Sequence, residues 1–130
     1  MLVIREATHA FSIKFMEDEM KDVLTELYNV VLKRKENPEQ GSYTCYLFEQ
    51  GIDKILKKIG EESAETIIAA KNHTQKPSDE LKNEICDLLY HLLVMCAELD
   101  LPLEEVYEIL EQRRQKIGNL KQMKVVDRNT

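Results

Sequence analysis

Apolar residues recur at helical spacing along most of this chain, and no stretch convincingly shows the period of two that a half-buried strand requires. Met20, Leu24, Leu27 and Val31 follow one another at intervals of 4, 3 and 4, which puts them on one face of a helix from Met16 to about Lys35. Phe48, Ile52, Ile55, Leu56 and Ile59 form a second stripe that ends near Gly60. A third helix follows from Glu61 to about Lys71, either separate or joined to the second through a kink at Gly60. Ser78, with Leu81 onward, starts a fourth helix to about Leu99, and Pro102, tolerated in a first turn, opens a fifth from about Leu103 to Ile117. Pro38 and Gly41 make KENPEQGSY a loop, and NHTQKPSDE reads as a turn. The expected fold class is all-α, a helical bundle of about five helices. Residues 1–15 read as an N-terminal extension and 118–130 as a tail.

The chain's 130 residues suit one domain able to bury a core without disulfides. With 43% apolar and 32% charged residues it is globular rather than disordered. A net charge of -6 argues against nucleic-acid or anionic-membrane partners. No segment approaches the roughly 18 uninterrupted apolar residues of a membrane span, and MLVIREATHAFSIKF lacks the layout of a signal peptide. Cys45, Cys86 and Cys96 form no C-x-x-C pair; reduced cysteines acting as small apolar fillers imply a cytoplasmic setting.

The third and fourth helices carry acids where apolar residues would be expected. In GEESAETIIAAKN, Glu61, Glu62 and Glu65 precede an Ile/Ala run; in NEICDLLYHLLVMC, Glu84 and Asp87 interrupt another. At about 100° per residue, Glu65 lies about 60°, Ala69 about 20° and Asn72 about 80° from Glu62. Ala64, Ile67 and Ile68 fall on the opposite half, and Glu61 sits near the edge. Glu84, Asp87 and His91 likewise fall within about 60° of one another. Isolated carboxylates in an apolar helix are costly to desolvate unless they share a cation or strong hydrogen bonds. Two such helices facing each other would bring four hard oxygen donors together, a set that suits Mg²⁺ or Mn²⁺. A di-iron bundle would want Glu-x-x-His, a spacing that is absent. The competing reading of the third helix is a solvated face, with Glu61, Glu62 and Glu65 paired to Lys57 and Lys58.

The pattern E-E-x-x-E, followed after 18 residues by E-x-x-D, resembles the all-α nucleoside triphosphate pyrophosphohydrolase (MazG-like) superfamily. GSYTCYLFEQGIDKILKKIGEESAETIIAAKN and EICDLLYHLLV are more specifically similar to the phosphoribosyl-ATP pyrophosphohydrolase family of histidine biosynthesis. The resemblance covers roughly residues 20–115 and is closest from Gly41 to Val94, making 16–117 the expected catalytic domain. The first 15 to 18 residues depart from it, and no cyclohydrolase sequence is attached, so the stand-alone form is expected. The resemblance implies Mg²⁺-dependent hydrolysis of 1-(5-phosphoribosyl)-ATP to 1-(5-phosphoribosyl)-AMP and pyrophosphate, with Mn²⁺ as a substitute ion. It implies Glu62, Glu65, Glu84 and Asp87 as metal ligands, and leaves Glu61 to hold a water, act as a base or anchor the helix.

Several residues are candidates for substrate contact, each with a plainer alternative. Lys54 and Lys58 project to the side of Glu62 if the helix continues through Gly60; Lys58 equally suits a surface pair with Glu61 or Glu62. Lys71 and Asn72 end the acidic helix in AAKN, a wording the family shares as a phosphate or ribose contact, although a helix C-terminus favours a lysine anyway. Ser42 and Thr44 in GSYT offer hydroxyls ahead of a helix, or simply its N-cap. Arg34 is a phosphate clamp or a surface residue. His91 reads as a core histidine supporting Asp87.

Two other functions stay in view: a house-cleaning pyrophosphohydrolase of non-standard nucleoside triphosphates, and a non-enzymatic helical oligomer. The first would want stacking aromatics, and the chain has no Trp, three Phe and five Tyr. Leu88, Leu89, Leu92, Leu93 and Met95 surround most of the fourth helix, which therefore needs neighbours on every side. A two-fold homodimer supplies them, and the resemblance implies a cleft bordering both chains. Arg34 or the Gly41–Thr44 loop of one chain is expected to approach the acids of the other.

Overall fold

The computed structural model describes residues 23–72 and 78–116, and within them it is all-helical, with no strand. A helix over 23–36 (α1) is followed by α2 (Tyr43–Gln50), α3 (Ile52–Asn72), α4 (Asp79–Glu98) and α5 (Leu103–Lys116). The start of the first helix, the N-terminal extension, the C-terminal tail and most of the turn before Ser78 lie outside the described residues. No described helix is long and apolar enough to cross a membrane.

The described residues form five helices, but the chain divides them differently from its apolar pattern. The break falls at Gly51, with φ 85 and ψ -176, an angle at which an L side chain is strained. Its N–H closes α2 on the Leu47 carbonyl at 3.0 Å, and its own carbonyl starts α3 by accepting from Ile55 at 3.3 Å. Phe48 and Ile52 therefore stand on separate helices, while α3 runs unbroken through Gly60. Ser42 and Ser78 cap α2 and α4, their hydroxyls accepting from the N–H groups of Cys45 and Leu81 at 3.2 Å each.

The long pair α3 and α4 is the frame. Ile55 meets Leu93 and Val94 in the core, whereas Glu62 meets Glu84 and Asp87, so the two helices run antiparallel. The core occupies one end of this pair: Tyr28 and Val31 of α1, Leu47 of α2, Ile55 of α3, Leu93, Val94, Cys96 and Ala97 of α4, and Leu103. At that end Asp100 takes a left-handed φ of 53, and the Leu101 N–H returns to the Cys96 carbonyl at 2.8 Å, stopping α4. Lys35 donates to the Ala97 carbonyl at 2.7 Å and pairs with Asp100 at 3.1 Å, while the Tyr28 hydroxyl donates to Leu101 at 2.8 Å. These bonds tie α1 to the α4–α5 turn and leave the other half of the α3–α4 pair to the acids.

The apolar side of α3 is not internal to a single chain. Ile67 is 65% and Ile68 56% exposed, with Leu56 of the same helix, Ile85 and Leu89 of α4, and Ile109 and Leu110 of α5 also open. Cys45 and Cys96 are buried, as fillers should be, but Cys86 is exposed; all three are free thiols.

Candidate functional site

Glu62 is the anchor of the site. It lies on the α4-facing side of α3, only 5% exposed, amid residues that periodicity alone would have made apolar. One oxygen from each of Glu62, Glu84 and Asp87 falls within a 4.8 Å cluster, buried at Glu62, half-buried at Glu84 and exposed at Asp87. Glu65, one turn beyond Glu62, comes within hydrogen-bond reach of both Glu62 and Glu84. The four acids singled out by the helical wheel are thus together.

Their electrostatics are unequal. Burial, the charge of Glu65, and contacts with Glu62 and Glu65 push the Glu84 carboxyl up to about 7. Its Oε2 is buried and has no hydrogen-bond partner among the described residues. Protonated, it can donate to its neighbours, so a proton is retained where ordinary glutamates have lost it. Burial also acts to raise Glu62, but hydrogen bonds from Lys58 and within the cluster outweigh it, and Glu62 is held below the usual carboxylate range.

Lys58 supplies the positive charge. Its Nζ lies 3.0 Å from Glu61 and 3.3 Å from Glu62, and the bond to Glu61 is the main reason its own pKa is raised. Glu61 is correspondingly lowered, chiefly by Lys58, with Lys57 at 3.9 Å and Lys54 adding to the field. Lys58 faces the converging carboxylates of Glu62, Glu84 and Asp87 with Glu65 beside them, which leaves a surplus of negative charge and a buried Glu84 oxygen with no partner among the described residues. A hard divalent cation fits that donor set.

The remaining candidates are dispersed. Arg34, near the end of α1, pairs with Glu39 of the α1–α2 loop at 2.8 Å, and Cys45 braces this connection by donating to the Arg34 carbonyl and accepting from the Glu39 N–H. Ser42 is occupied as a cap, and the Thr44 hydroxyl bonds that of Tyr90. Lys71 and Asn72 are exposed at the end of α3. Tyr43 and Thr44, the first residues of α2, bond His91 and Tyr90 of α4 in the same chain.

Two residues outside the acid motif also prove central. His91, 4% exposed, donates from Nδ1 to the Asp87 carbonyl at 2.7 Å, and its Nε2 is hydrogen-bonded to the Tyr43 hydroxyl at 3.1 Å. The sequence signalled His91 by its place on the face of Glu84 and Asp87; nothing in the spacing signalled Tyr43, 48 residues away.

Residues 24–114 match the family model described as phosphoribosyl-ATP pyrophosphohydrolase. The chain is 56% identical over 100 residues to the phosphoribosyl-ATP pyrophosphatase of Clostridium novyi, covering 77% of this chain and 88% of that protein. It is 51% identical over 105 residues to the protein of the same name from Listeria welshimeri, covering 81% of this chain and 98% of that one. It is also 50% identical over 95 residues to the histidine biosynthesis bifunctional protein HisIE of Caldanaerobacter subterraneus subsp. tengcongensis, covering 73% of this chain and 45% of that relative.

Proposed function

The chain belongs to the phosphoribosyl-ATP pyrophosphohydrolase family, and on that premise we propose that it hydrolyses 1-(5-phosphoribosyl)-ATP to 1-(5-phosphoribosyl)-AMP and pyrophosphate, a step of histidine biosynthesis. The carrying observation is the convergence of Glu62, Glu84 and Asp87, with Glu65 in contact with Glu62 and Glu84, around a buried Glu84 oxygen that has no hydrogen-bond partner among the described residues. The family match favours this reading over a house-cleaning enzyme or a non-enzymatic oligomer.

Glu62, Glu65, Glu84 and Asp87 are the residues that would hold Mg²⁺, or Mn²⁺ in its place. Such an ion supplies neutralisation of triphosphate charge and acidification of water. The chain's own residues do the positioning. Lys58, clamped by Glu61 and Glu62, presents a fixed positive charge beside the cluster, and Lys54 extends it along α3. Glu61, lowered by Lys58, is a poor proton acceptor at neutral pH; its part is to orient that ammonium. Ser42 and Thr44 hold the α2 loop in place, while Arg34, Lys71 and Asn72 are the outer contacts for phosphate and ribose. The 16–117 segment acts as the catalytic domain, in the cytoplasm.

The active form is a homodimer. Its support is the open apolar side formed by Leu56, Ile67, Ile68, Ile85 and Leu89, beside the acidic strip. Sedimentation equilibrium at micromolar concentration tests it, with a fully active monomer as the refuting result.

The activity is tested by pyrophosphate release from phosphoribosyl-ATP with Mg²⁺, against a panel of ordinary nucleoside triphosphates. Glu62→Gln, Glu65→Gln, Glu84→Gln and Asp87→Asn should each abolish turnover while remaining helical by circular dichroism. Near-normal turnover in two of them overturns the metal-ligand assignment, and equal turnover of the panel overturns the substrate.

A further inference from the structure

Beside the acids, α2 carries a group of aromatic rings that the hydrolytic chemistry leaves unused. Tyr43 lies at its centre: its ring is 6.1 Å from that of Tyr46 and 6.4 Å from that of Tyr90, nearly parallel to both, and stands edge-on to His91 at 6.0 Å. A residue this well surrounded would ordinarily be buried, yet Tyr43 is 47% and Tyr46 41% exposed. The exposed ring is not free to swing. Its hydroxyl is hydrogen-bonded to His91, which is fixed in turn by the Asp87 carbonyl, and the neighbouring Thr44 is bonded to Tyr90. The start of α2 is thereby fastened twice to α4, within one turn of Asp87. The Tyr43 hydroxyl also feels the charges of Lys58 and Glu62, so it stands beside the acidic cluster.

A rigid aromatic face beside an acidic cluster that would hold a cation-bound polyphosphate is what a nucleobase stacks on, because its ordering cost is met before the ligand arrives. We infer that Tyr43 is a specificity-determining residue: its ring, locked by His91, forms the stacking face for the purine of the nucleotide whose phosphates meet the acidic cluster. The inference rests on the proposed activity for the identity of the substrate. The ring face binds the base; the hydroxyl only fixes the ring.

The roles of ring and hydroxyl separate by substitution. Tyr43→Leu removes both and should raise KM for phosphoribosyl-ATP by about 5- to 100-fold, the range of one base–aromatic stack, with kcat within about threefold. Tyr43→Phe keeps the ring and should recover most of that loss. Inhibition by tripolyphosphate, which has no base, should be the same in wild type and both variants. Because the chain has no Trp, Tyr43→Trp gives a single-tryptophan reporter that needs no turnover. Its fluorescence should be quenched by phosphoribosyl-AMP or ATP and not by tripolyphosphate. A Phe variant as impaired as Leu, a parallel loss of tripolyphosphate inhibition, or a reporter that neither nucleotide quenches each overturns the inference. A wild-type protein that does not cleave phosphoribosyl-ATP, with the reporter still quenched by ATP, would instead overturn the proposed activity and leave the stacking face standing.

Discussion

Glu84 makes the metal reading measurable through a proton. Its carboxyl is pushed up to about 7 by burial first, then by the charge and contacts of Glu65 and Glu62. A carboxyl must be ionised to ligate a hard cation, so binding expels whatever proton Glu84 still holds. A single group titrating near 7 is about nine-tenths protonated at pH 6, half at pH 7 and one-tenth at pH 8. Mg²⁺ or Mn²⁺ should therefore release about 0.9, 0.5 and 0.1 proton at those pH values, and the apparent affinity should rise about tenfold per pH unit below 7 before levelling off. Isothermal titration calorimetry in buffers of different ionisation enthalpy counts the protons directly. Glu84→Gln should remove the pH 6 release. A discrete metal site that releases no proton at pH 6 would refute the reasoning, because Glu84 would then be either ionised already or not a ligand.

The same shift sets the pH dependence of stability without metal. Glu84 is raised in the folded chain above its ordinary 4.5, so the folded state holds the proton more tightly. That contribution is full below about 4.5 and is lost as pH rises through about 7. Glu61 and Glu62 are shifted the opposite way, and their contributions are lost only as pH falls through still lower values. Between pH 6 and 8 the melting temperature in chelator should thus fall, and Mg²⁺ should close the difference.

Three further outcomes are expected. Gly60→Ala should stabilise the chain by about 0.5–1 kcal/mol in urea unfolding, since α3 passes straight through Gly60 and an added Cβ meets nothing within 4 Å; Gly51→Ala, forced to φ 85, should destabilise by about 1 kcal/mol or more. Lys58→Met should lower stability in chelator by about 1–2 kcal/mol, between exposed and buried ion pairs, because buried Glu62 loses its partner; saturating Mg²⁺ should restore most of it. Glu65→Gln and Asp87→Asn should each raise the melting temperature in chelator by relieving repulsion while abolishing the rise on adding Mn²⁺, and a lower melting temperature would mean these acids serve as stabilising pairs.

Legibility in the sequence followed the range of each interaction. Helical period, the Ser78 cap and the sharing of one helix face by Glu62 with Glu65 and by Glu84 with Asp87 depend on neighbours within a turn or two, and spacing carries that information. Gly51 and Gly60 look alike in the same apolar pattern, because what separates them is a backbone angle rather than a side chain. The bond from Tyr43 to His91 joins residues 48 apart and depends on how α2 is laid against α4. Ile67 and Ile68 show a third limit. The wheel assigned them correctly to the side away from the acids, but whether that side faces the chain's own core or a surface is not a property of the wheel.

That inversion has a physical consequence for the site. On this part of α3 the acid Glu62 turns inward toward α4 while the apolar Ile67 and Ile68 are exposed, the reverse of an ordinary surface helix. An acidic seam of this kind would separate if it alone joined two helices, since its charges repel and Glu84 leaves an oxygen unbonded. It is held by what lies further along the same pair. Leu47, Ile55 and Val94, all fully buried, clamp α3 to α4 two turns from Glu62, and the α1 bonds to Leu101 and Ala97 stop that end from opening. The apolar end therefore keeps the carboxylates at a spacing they would not choose for themselves. Truncating Ile55 to Ala should accordingly weaken metal binding as well as stability, although Ile55 is two turns from the acids and carries no charge. If Ile55→Ala lowers stability yet leaves Mn²⁺ affinity unchanged in the folded protein, the acids hold their own positions and the core is not what strains them together.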